Sequence, residues 1–474
     1  MSRRDYPVLF RVCYFLGVFL ILIGALCAVP IPAAIWLDHD VALVWAFALS
    51  SVAAIVSGLI MITCVGRQVD LRLGGAMIVA ALGWLMAAFV GALPFAISGH
   101  LHYIDALFES MSGFTATGLT MFRDVEALPQ ALLIWRSLTQ WIGGVGVVVL
   151  FLSVLVTRTG VVNKLYAAEA RGERLVPSIG QTARRMWAIY ALYTGGCFLL
   201  LWALGMPWFD SINTSMTALA TGGFTVNNSS LGGYTWQLQV AVIPFMLLGA
   251  ISFAAHQQLL GGHIKKFFNI EVRTLLLLAG VTTALLLLWR GLSVSSLRLS
   301  SFQVISALSG TGFSTVRVAQ WDDVSKVVLT LLMVCGGCYG STSSAIKIIR
   351  IVTLLSAAAW VVRRALLPES AVAPFKLGGH VHDVNEVMDI SLYAFLYVLV
   401  LLLGTLVFML GGQPLVDSLF ETGSALGNVG LSVGITGVTM PVHEKIVLIL
   451  SMWVGRLEII PVLVFLRKVL PPWR

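Results

Sequence analysis

Four runs of this chain share one arrangement of small and hydroxylated residues: DALFESMSGFTATGLT (105–120), DSINTSMTALATGGFT (210–225), LSSFQVISALSGTGFS (299–314) and DSLFETGSALGNVGLS (417–432). They align without a gap. Glycine holds the fourteenth place in each, as Gly118, Gly223, Gly312 and Gly430. A hydroxyl stands six residues earlier (Ser112, Thr217, Ser306, Ser424) and another two residues later (Thr120, Thr225, Ser314, Ser432). What such a run offers chemically is its backbone. Glycine enters positive φ without steric penalty, so successive carbonyls can turn toward one axis instead of pairing along a strand. Rings of carbonyl oxygens of that kind replace the hydration shell of a monovalent cation. The oxygens so placed belong to Thr115, Ala116, Thr117 and Gly118; Ala220, Thr221, Gly222 and Gly223; Ser309, Gly310, Thr311 and Gly312; and Gly427, Asn428, Val429 and Gly430. Any one of these glycines also reads as a small residue that lets helices pack closely. Four in register beside the same hydroxyls argue for a common lining.

Charges inside apolar stretches are the second signal. Arg456 and Glu458 fall within the last such stretch, where a charge costs at least ~2.5 kcal/mol on insertion scales and so faces a cavity or a partner. Arg456 reads as a pore cation or as half of a pair with a neighbouring acid, and Lys347 as a residue able to snorkel to the surface. Glu109 and Glu421 hold equivalent places in the first and fourth runs, with Thr214 and Gln303 in the others. They suit either a cation-attracting mouth or first-turn acids meeting orphan amides. The other chemistry-bearing residues are quieter. Cys335 and Cys338 form a CxxC inside an apolar stretch, without the βαβ context of a redox pair. His380 and His382 lack a third ligand nearby, so no transition-metal site is expected. No HExxH, GxSxG or P-loop string is present, and GGVG (143–146) has no strand before it, so neither hydrolysis nor nucleotide binding is indicated.

The elements that position these runs are membrane helices. Of the 474 residues 58% are hydrophobic and only 11% charged, against about a quarter charged in soluble domains. A span needs about 20 apolar residues. Ten stretches qualify: 10–30, 42–64, 74–97, 132–156, 187–205, 237–261, 273–290, 326–356, 388–410 and 444–466. The first is too long for a signal h-region and is followed by a second span, so it reads as structure. Each glycine-containing run lies between two spans. About ten residues from Asp105, Asp210 or Asp417 make a helix of about 15 Å, half the hydrocarbon core, so it must re-enter. Asp suits its start as an N-cap, and the negative end then points to the bilayer middle. Extended chain beyond it is tolerated only where it lines a cavity or is buried in protein. The fold class expected is an all-α polytopic membrane protein. Four tandem span, pore-helix, loop and span repeats surround a central pore, after two extra N-terminal helices. The divisions are 1–66 for the extension and 67–160, 161–262, 263–365 and 366–474 for the repeats. Most of the 30 Lys and Arg fall in alternate loops, among them Arg3, Arg4, Arg67, Arg72, Arg158, Lys164, Arg171, Arg174, Arg363, Arg364 and Arg474. The positive-inside rule then puts both termini in the cytoplasm, and the sorting by loop speaks against nucleic acid as the partner of the net +8 charge.

These runs resemble the membrane subunit of the Trk and Ktr potassium transporters, related to the HKT proteins of plants. The similarity extends to LRLGGAMIVAALGWLMAAFVGALPFAISG (71–99), WRSLTQWIGGVGVVVL (135–150), IPFMLLGAISF (243–253), GGCYGSTSSAIKIIR (336–350) and GRLEIIPVLV (455–464). The two extra N-terminal spans look like the Trk branch. The resemblance implies potassium uptake across a bacterial inner membrane, with K+ as the transported ligand and no cofactor in this chain. It also implies a homodimer, and a cytoplasmic ring of regulatory subunits that carries the nucleotide. It further implies an intramembrane gate loop comprising Gly336, Gly337, Gly340, Ser341, Thr342, Ser343, Ser344 and Lys347, with Arg456 beside it. Two departures stand out: Leu431 where the Trk branch commonly has Pro, and Ser343, Ser344 and Ala345 where the gate loop is usually glycine-rich. A secondary symporter coupled to protons or sodium is the alternative; such folds favour inverted repeats and midplane acids.

Overall fold

The computed structural model describes residues 8–65, 73–146, 179–368, 373–378, 380–381 and 383–469, and these are overwhelmingly helical. Arg3, Arg4, Arg67, Arg72, Arg158, Lys164, Arg171, Arg174, Arg474, His382 and the later part of the stretch 132–156 lie outside the described residues. The chain opens with α1 (Val8–Cys27), α2 (Ile31–Trp36) and α3 (Val41–Val65), α1 packing along α3. The next unit is α4 (Leu73–Ile97), the short α5 (Tyr103–Phe114), a loop and α6 (Gln130–Val145). Asp38, in the turn after α2, accepts from the N–H groups of Gln130 and Ala131 at 2.7 and 2.8 Å. It thus caps α6, whose own N-cap is Pro129 and has no side-chain acceptor. That contact joins the N-terminal helices to the first unit.

The same order recurs three times. The second unit has α7 (Ile179–Ala203), α8 (Trp208–Leu219) and α9 (Trp236–Ala250), then α10 (Phe253–Leu260) and α11 (Ile264–Phe267). The third has α12 (Ile270–Arg290), α13 (Val294–Ser309), α14 (Asp323–Cys335) and α15 (Ile348–Ala365). A two-residue-per-strand antiparallel hairpin, with Lys376 opposite Val381, precedes the fourth: α16 (Val384–Leu410), α17 (Leu415–Gly427), α18 (Val442–Arg456) and α19 (Ile460–Val469). The short helices α5, α8, α13 and α17 are the pore helices. Three have 12 or 13 residues; α13 has 16 and is the long one. The helix after each pore loop packs against its own pore helix and against the next: α6 on α8, α9 on α13, α14 on α17, and α18 back on α5. The four units therefore close into a ring.

Burial is inverted relative to a soluble protein. Ser112, Thr115, Gln140, Thr217, Gln303, Ser306, Glu421 and Ser424 are wholly or almost wholly buried, while Trp36, Leu277, Leu288, Leu402 and Leu403 are more than half exposed. Apolar side chains facing outward are what lipid accepts, and interior polar groups must find partners among themselves. Among the described residues, six helices are long and apolar enough to span a membrane, or up to eight if each bent pair is one span.

Three of the ten predicted stretches are interrupted. The stretch 237–261 bends by 109° between α9 and α10, where Ser252 accepts from the N–H of Ala255 and starts a new helix. The stretch 444–466 bends by 112° between α18 and α19, where Glu458 and Ile459 take φ of 56° and 64°. The stretch 326–356 stops at Cys335 and resumes at Ile348. Between them Gly336, Gly340, Ala345 and Lys347 have φ between 68° and 81°. Hydropathy runs straight through all three places, because the interruptions are buried in protein and need no polar flanks.

Candidate functional site: a ring of four loops

Each pore helix ends in the same way. The N–H of Thr117, Gly222, Thr311 and Val429 donates to the carbonyl of Ser112, Thr217, Ser306 and Ser424, five residues earlier, at 2.8–3.0 Å. The residue between, Ala116, Thr221, Gly310 or Asn428, is left-handed with φ of 54°, 51°, 77° and 52°, and its N–H donates three residues back, to Gly113, Ala218, Ala307 and Ala425. This is a Schellman termination four times over. In three of the four the hydroxyl that opens the motif adds to it: Ser112 and Ser424 accept from the N–H of Gly118 and Gly430 at 3.0 Å, and Ser306 Oγ donates to the carbonyl of Phe313. The sequence reading expected plain extended chain here. It missed the first left-handed residue of each loop, because Ala, Thr, Gly and Asn share no obvious type.

The second left-handed residue is the glycine that the alignment singled out: Gly118, Gly223, Gly312 and Gly430 have φ of 97°, 79°, 76° and 93°. A Cβ on Gly118 would collide with the carbonyl oxygen of Gly222, one on Gly223 with that of Thr311, one on Gly312 with that of Val429, and one on Gly430 with that of Thr117. The collisions run from loop one to two, two to three, three to four, and four back to one. The four loops meet around one axis with their backbones closer together than any side chain allows.

Side chains fasten the ring. Asn428 Nδ2 donates to Thr117 Oγ1 and to the Met452 carbonyl, both at 2.9 Å. Hydroxyl pairs close loops one and three, Thr115 with Thr117 and Ser309 with Thr311, each at 2.7 Å. Glu109 is buried, accepts from the N–H of Met121 and both from the hydroxyl of Thr120 and from Arg136 Nε at 2.7 Å. The Arg136 guanidinium also reaches the Thr225 carbonyl and stacks 4.1 Å from the Phe224 ring. Glu421 is likewise buried and accepts from Ser432, Val433 and Thr436. Gln303 donates to Ser314 and Thr315 at 3.3 and 3.4 Å. These residues tie α5, α13 and α17 to the chain returning from their loops, and Glu109 and Glu421, each the seventh residue of its helix, are not first-turn acids.

Asp105, Asp210 and Asp417 are corrected in the same way. The N-caps are His102, Pro207 and Pro414, and each Asp stands in the third helical position. There it still favours the helix dipole, but its partners lie elsewhere in the ring. Asp105 accepts from Lys445 Nζ at 2.5 Å, Asp417 from Lys326 at 2.7 Å, and Asp210 from the Tyr234 hydroxyl at 2.7 Å. On the exposed linkers, the Asn228 side chain holds the Asp124 carboxyl below the usual carboxylate range, joining the chain after loop one to that after loop two.

Residues 336–347 lie against the loops. Thr342 Oγ1 is 3.2 Å from Thr221 Oγ1 and donates to the carbonyls of Leu219 and Gly249 at 3.0 and 2.8 Å. Ser343 Oγ accepts from the N–H of Gly337 at 3.1 Å and occupies the space a Cβ on Gly310 would enter. Gly336 and Gly337 abut the backbone of Ser344 and Ala250, and Ser341 Oγ donates to the Cys338 carbonyl at 2.6 Å. Gly340 accepts from the N–H of Phe253 at 3.2 Å. Lys347 is buried, and its Nζ donates to the Ser343 carbonyl, so it does not reach the surface. Arg456 donates to the Thr342 carbonyl at 2.8 Å, to Ser344 Oγ at 3.1 Å, and to the carbonyls of Gly143 and Gly144 at the end of α6. Its acidic neighbour in sequence, Glu458, pairs instead with Arg350. Cys335 and Cys338 are both buried at this bend.

A solved structure, that of the potassium transporter TrkH from Vibrio parahaemolyticus, superposes with a TM-score of 0.86 at 28% identity over 98% of this chain and all of that one. A cation transporter of Methanocaldococcus jannaschii is 37% identical over 398 residues, 83% of this chain and 82% of its own. The Trk system potassium uptake protein TrkH of Salmonella typhimurium is 31% identical over 415 residues, 83% of this chain and 85% of its own. The sequence profile of TrkH, described as a cation transport protein, matches residues 45–472, and with the ring of loops and the superposition this establishes the chain as a member of the TrkH family of transporters, multi-pass membrane proteins and not enzymes.

Proposed function

We propose that the ring is a potassium selectivity filter. Carbonyls of 115–118, 220–223, 309–312 and 427–430 would take the place of water around a dehydrated K+, and the membrane potential, worth about 2.3 kcal/mol per charge per 100 mV, would drive uptake. The observation that carries this reading is the closed cycle of backbone contacts at the four glycines. The names of the relatives support potassium as the ion. Residues 336–347 with Arg456 act as the gate, a cationic and hydrogen-bonded plug adjoining loops two and three. The chain works as a homodimer in a bacterial inner membrane, both termini cytoplasmic, each protomer divided into an N-terminal extension and four pore repeats. A cytoplasmic regulatory subunit of the Trk system binds the nucleotide.

The test is ion flux into vesicles containing the purified protein. Potassium should move with its own gradient as the sole driving force, and Gly118→Ser should raise sodium flux relative to potassium. Flux that stops without a proton or sodium gradient would establish the symporter instead. Unchanged selectivity in both Gly118→Ser and Gly430→Ser would remove the filter assignment.

A further inference from the structure

Of the four ring residues that precede the aligned glycines Gly118, Gly223, Gly312 and Gly430, three are β-branched (Thr117, Thr311 and Val429) and one is Gly222. A β-branched side chain restricts its own backbone and packs against its surroundings. The second loop has glycine on both sides of the 222–223 peptide, so nothing local resists rotation of that carbonyl. The space left by the missing side chain is filled from another element. Gln140, fully buried on α6, lies where a Cβ on Gly222 would be, 2.5 Å from its Cδ and Oε1. Its amide grips the loop on both sides of Gly223: Nε2 donates to the Gly222 carbonyl at 2.6 Å, and Oε1 accepts from the N–H of Phe224 at 3.0 Å.

Among the described residues, no other unit repeats this. Gly143, Gly249 and Gly455 each pack against the carbonyl of the matching pore-helix residue, Phe114, Leu219 and Leu426. Three residues before them stand Gln140, Met246 and Met452, the methionines buried in the apolar core. Among the described residues, the Gly222 oxygen is the one of the four equivalents (Thr117, Gly222, Thr311, Val429) that accepts a side-chain hydrogen bond.

We infer that Gln140 is a selectivity-determining positioning residue: its amide substitutes for the missing side chain at 222 and fixes one oxygen of the ring. The inference rests on the filter reading. A carbonyl whose direction is set by a short hydrogen bond presents a constant field to the ion, whereas one between two glycines is free to turn and admit the smaller, more strongly hydrated sodium.

Potassium and sodium flux into vesicles, normalised to inserted protein, tests it. Gln140→Ala should lower the potassium-to-sodium ratio about tenfold, the worth of one net hydrogen bond. Gln140→Glu, which keeps an acceptor for Phe224 but loses the donor to Gly222, should lower it similarly and serves if the alanine variant does not insert. Gln140→Ala combined with Gly222→Val restores a β-branched residue beside the space vacated and should recover most of the ratio, which a merely structural defect would not. An unchanged ratio in both single variants, or a fall that Gly222→Val leaves uncorrected, overturns the inference. Gly118→Ser in the same vesicles separates the readings: if it alters selectivity while Gln140→Ala does not, the filter stands and the role of Gln140 falls.

Discussion

Asn428 is at once a backbone and a side-chain part of the ring. It is the left-handed residue that ends α17, a conformation Asn tolerates better than most, and its amide links the fourth loop to the first. Asn428→Gly keeps the conformation and loses the bonds; Asn428→Ala loses both. Thermal unfolding in detergent should show Asn428→Ala the less stable, with the two lost buried hydrogen bonds costing about 1–3 kcal/mol in either variant. Equal stability of Asn428→Gly and the parent would mean the link is unimportant. Arg456 is the other residue whose single replacement is decisive. Its planar fork joins Thr342 and Ser344 to the end of α6 through four acceptors, a geometry that the point charge of lysine does not reproduce. Under the gate reading, potassium flux without any partner should rise in Arg456→Gln and, more modestly, in Arg456→Lys. Flux equal to the parent in both, with the protein inserted, would put the barrier elsewhere.

At the scale of elements, the ring is closed by ion pairs between units. Lys326 on α14 meets Asp417 at the start of α17, and Lys445 on α18 meets Asp105 at the start of α5, joining the last unit to the first. The second pair is the more buried, with both side chains 5% exposed. Breaking a buried pair by removing one partner costs about 3–5 kcal/mol, because the other charge stays without compensation. Lys445→Met should therefore lower the unfolding temperature sharply and Asp105→Leu/Lys445→Met much less; a double variant as unstable as the single would show that packing, not charge, is responsible. The sequence already displayed the four pore helices and the glycine that follows each, since Asp105, Asp210 and Asp417 and the paired hydroxyls recur in register. What it concealed depends on contacts far along the chain. Lys445 and Asp105 are 340 residues apart, and nothing about either names the other. The helix breaks at 251–252 and 457–459 were hidden for a different reason, whereas the one at 336–347 was expected from the family resemblance alone and not from hydropathy. Their backbone is satisfied by neighbouring protein, as where the N–H of Cys338 donates to the Ala250 carbonyl, so no polar sequence has to mark them. Gln140 left no trace, standing among Arg136, Ser137 and Thr139, whereas Arg456 left a clear one, as a charge where charges are costly.

For the whole molecule, the question raised by the gate reading is how a segment so extensively bonded as 336–347 can move. Residues 336–347 donate to or accept from α8, α9, α14 and α18 or their ends, through Leu219, Gly249, Ala250, Val334, Cys335 and Arg456. Local loosening of one contact leaves the others, so under that reading the segment would shift when an element attached to it shifts as a body. That element is α15, which begins at Ile348, directly after Lys347, and carries Arg363 and Arg364 in its last turn. Its lock is visible. Arg350, in the first turn of α15, pairs with Glu458 at the break between α18 and α19, and its guanidinium lies 4.3 Å from the Tyr393 ring of α16. The side chains of the pair are 16% and 12% exposed, so the pair is shielded enough to matter and removal of one partner costs more than a surface pair's ~0–1 kcal/mol. Releasing it should shift the balance toward a displaced α15. Arg350→Gln is thus expected to raise potassium flux in vesicles without any regulatory partner, leaving the potassium-to-sodium ratio unchanged because the filter loops are untouched. A variant that inserts normally with flux at the parent level would show that α15 is not the lever, and one that alters the ratio would show that the pair braces the filter instead.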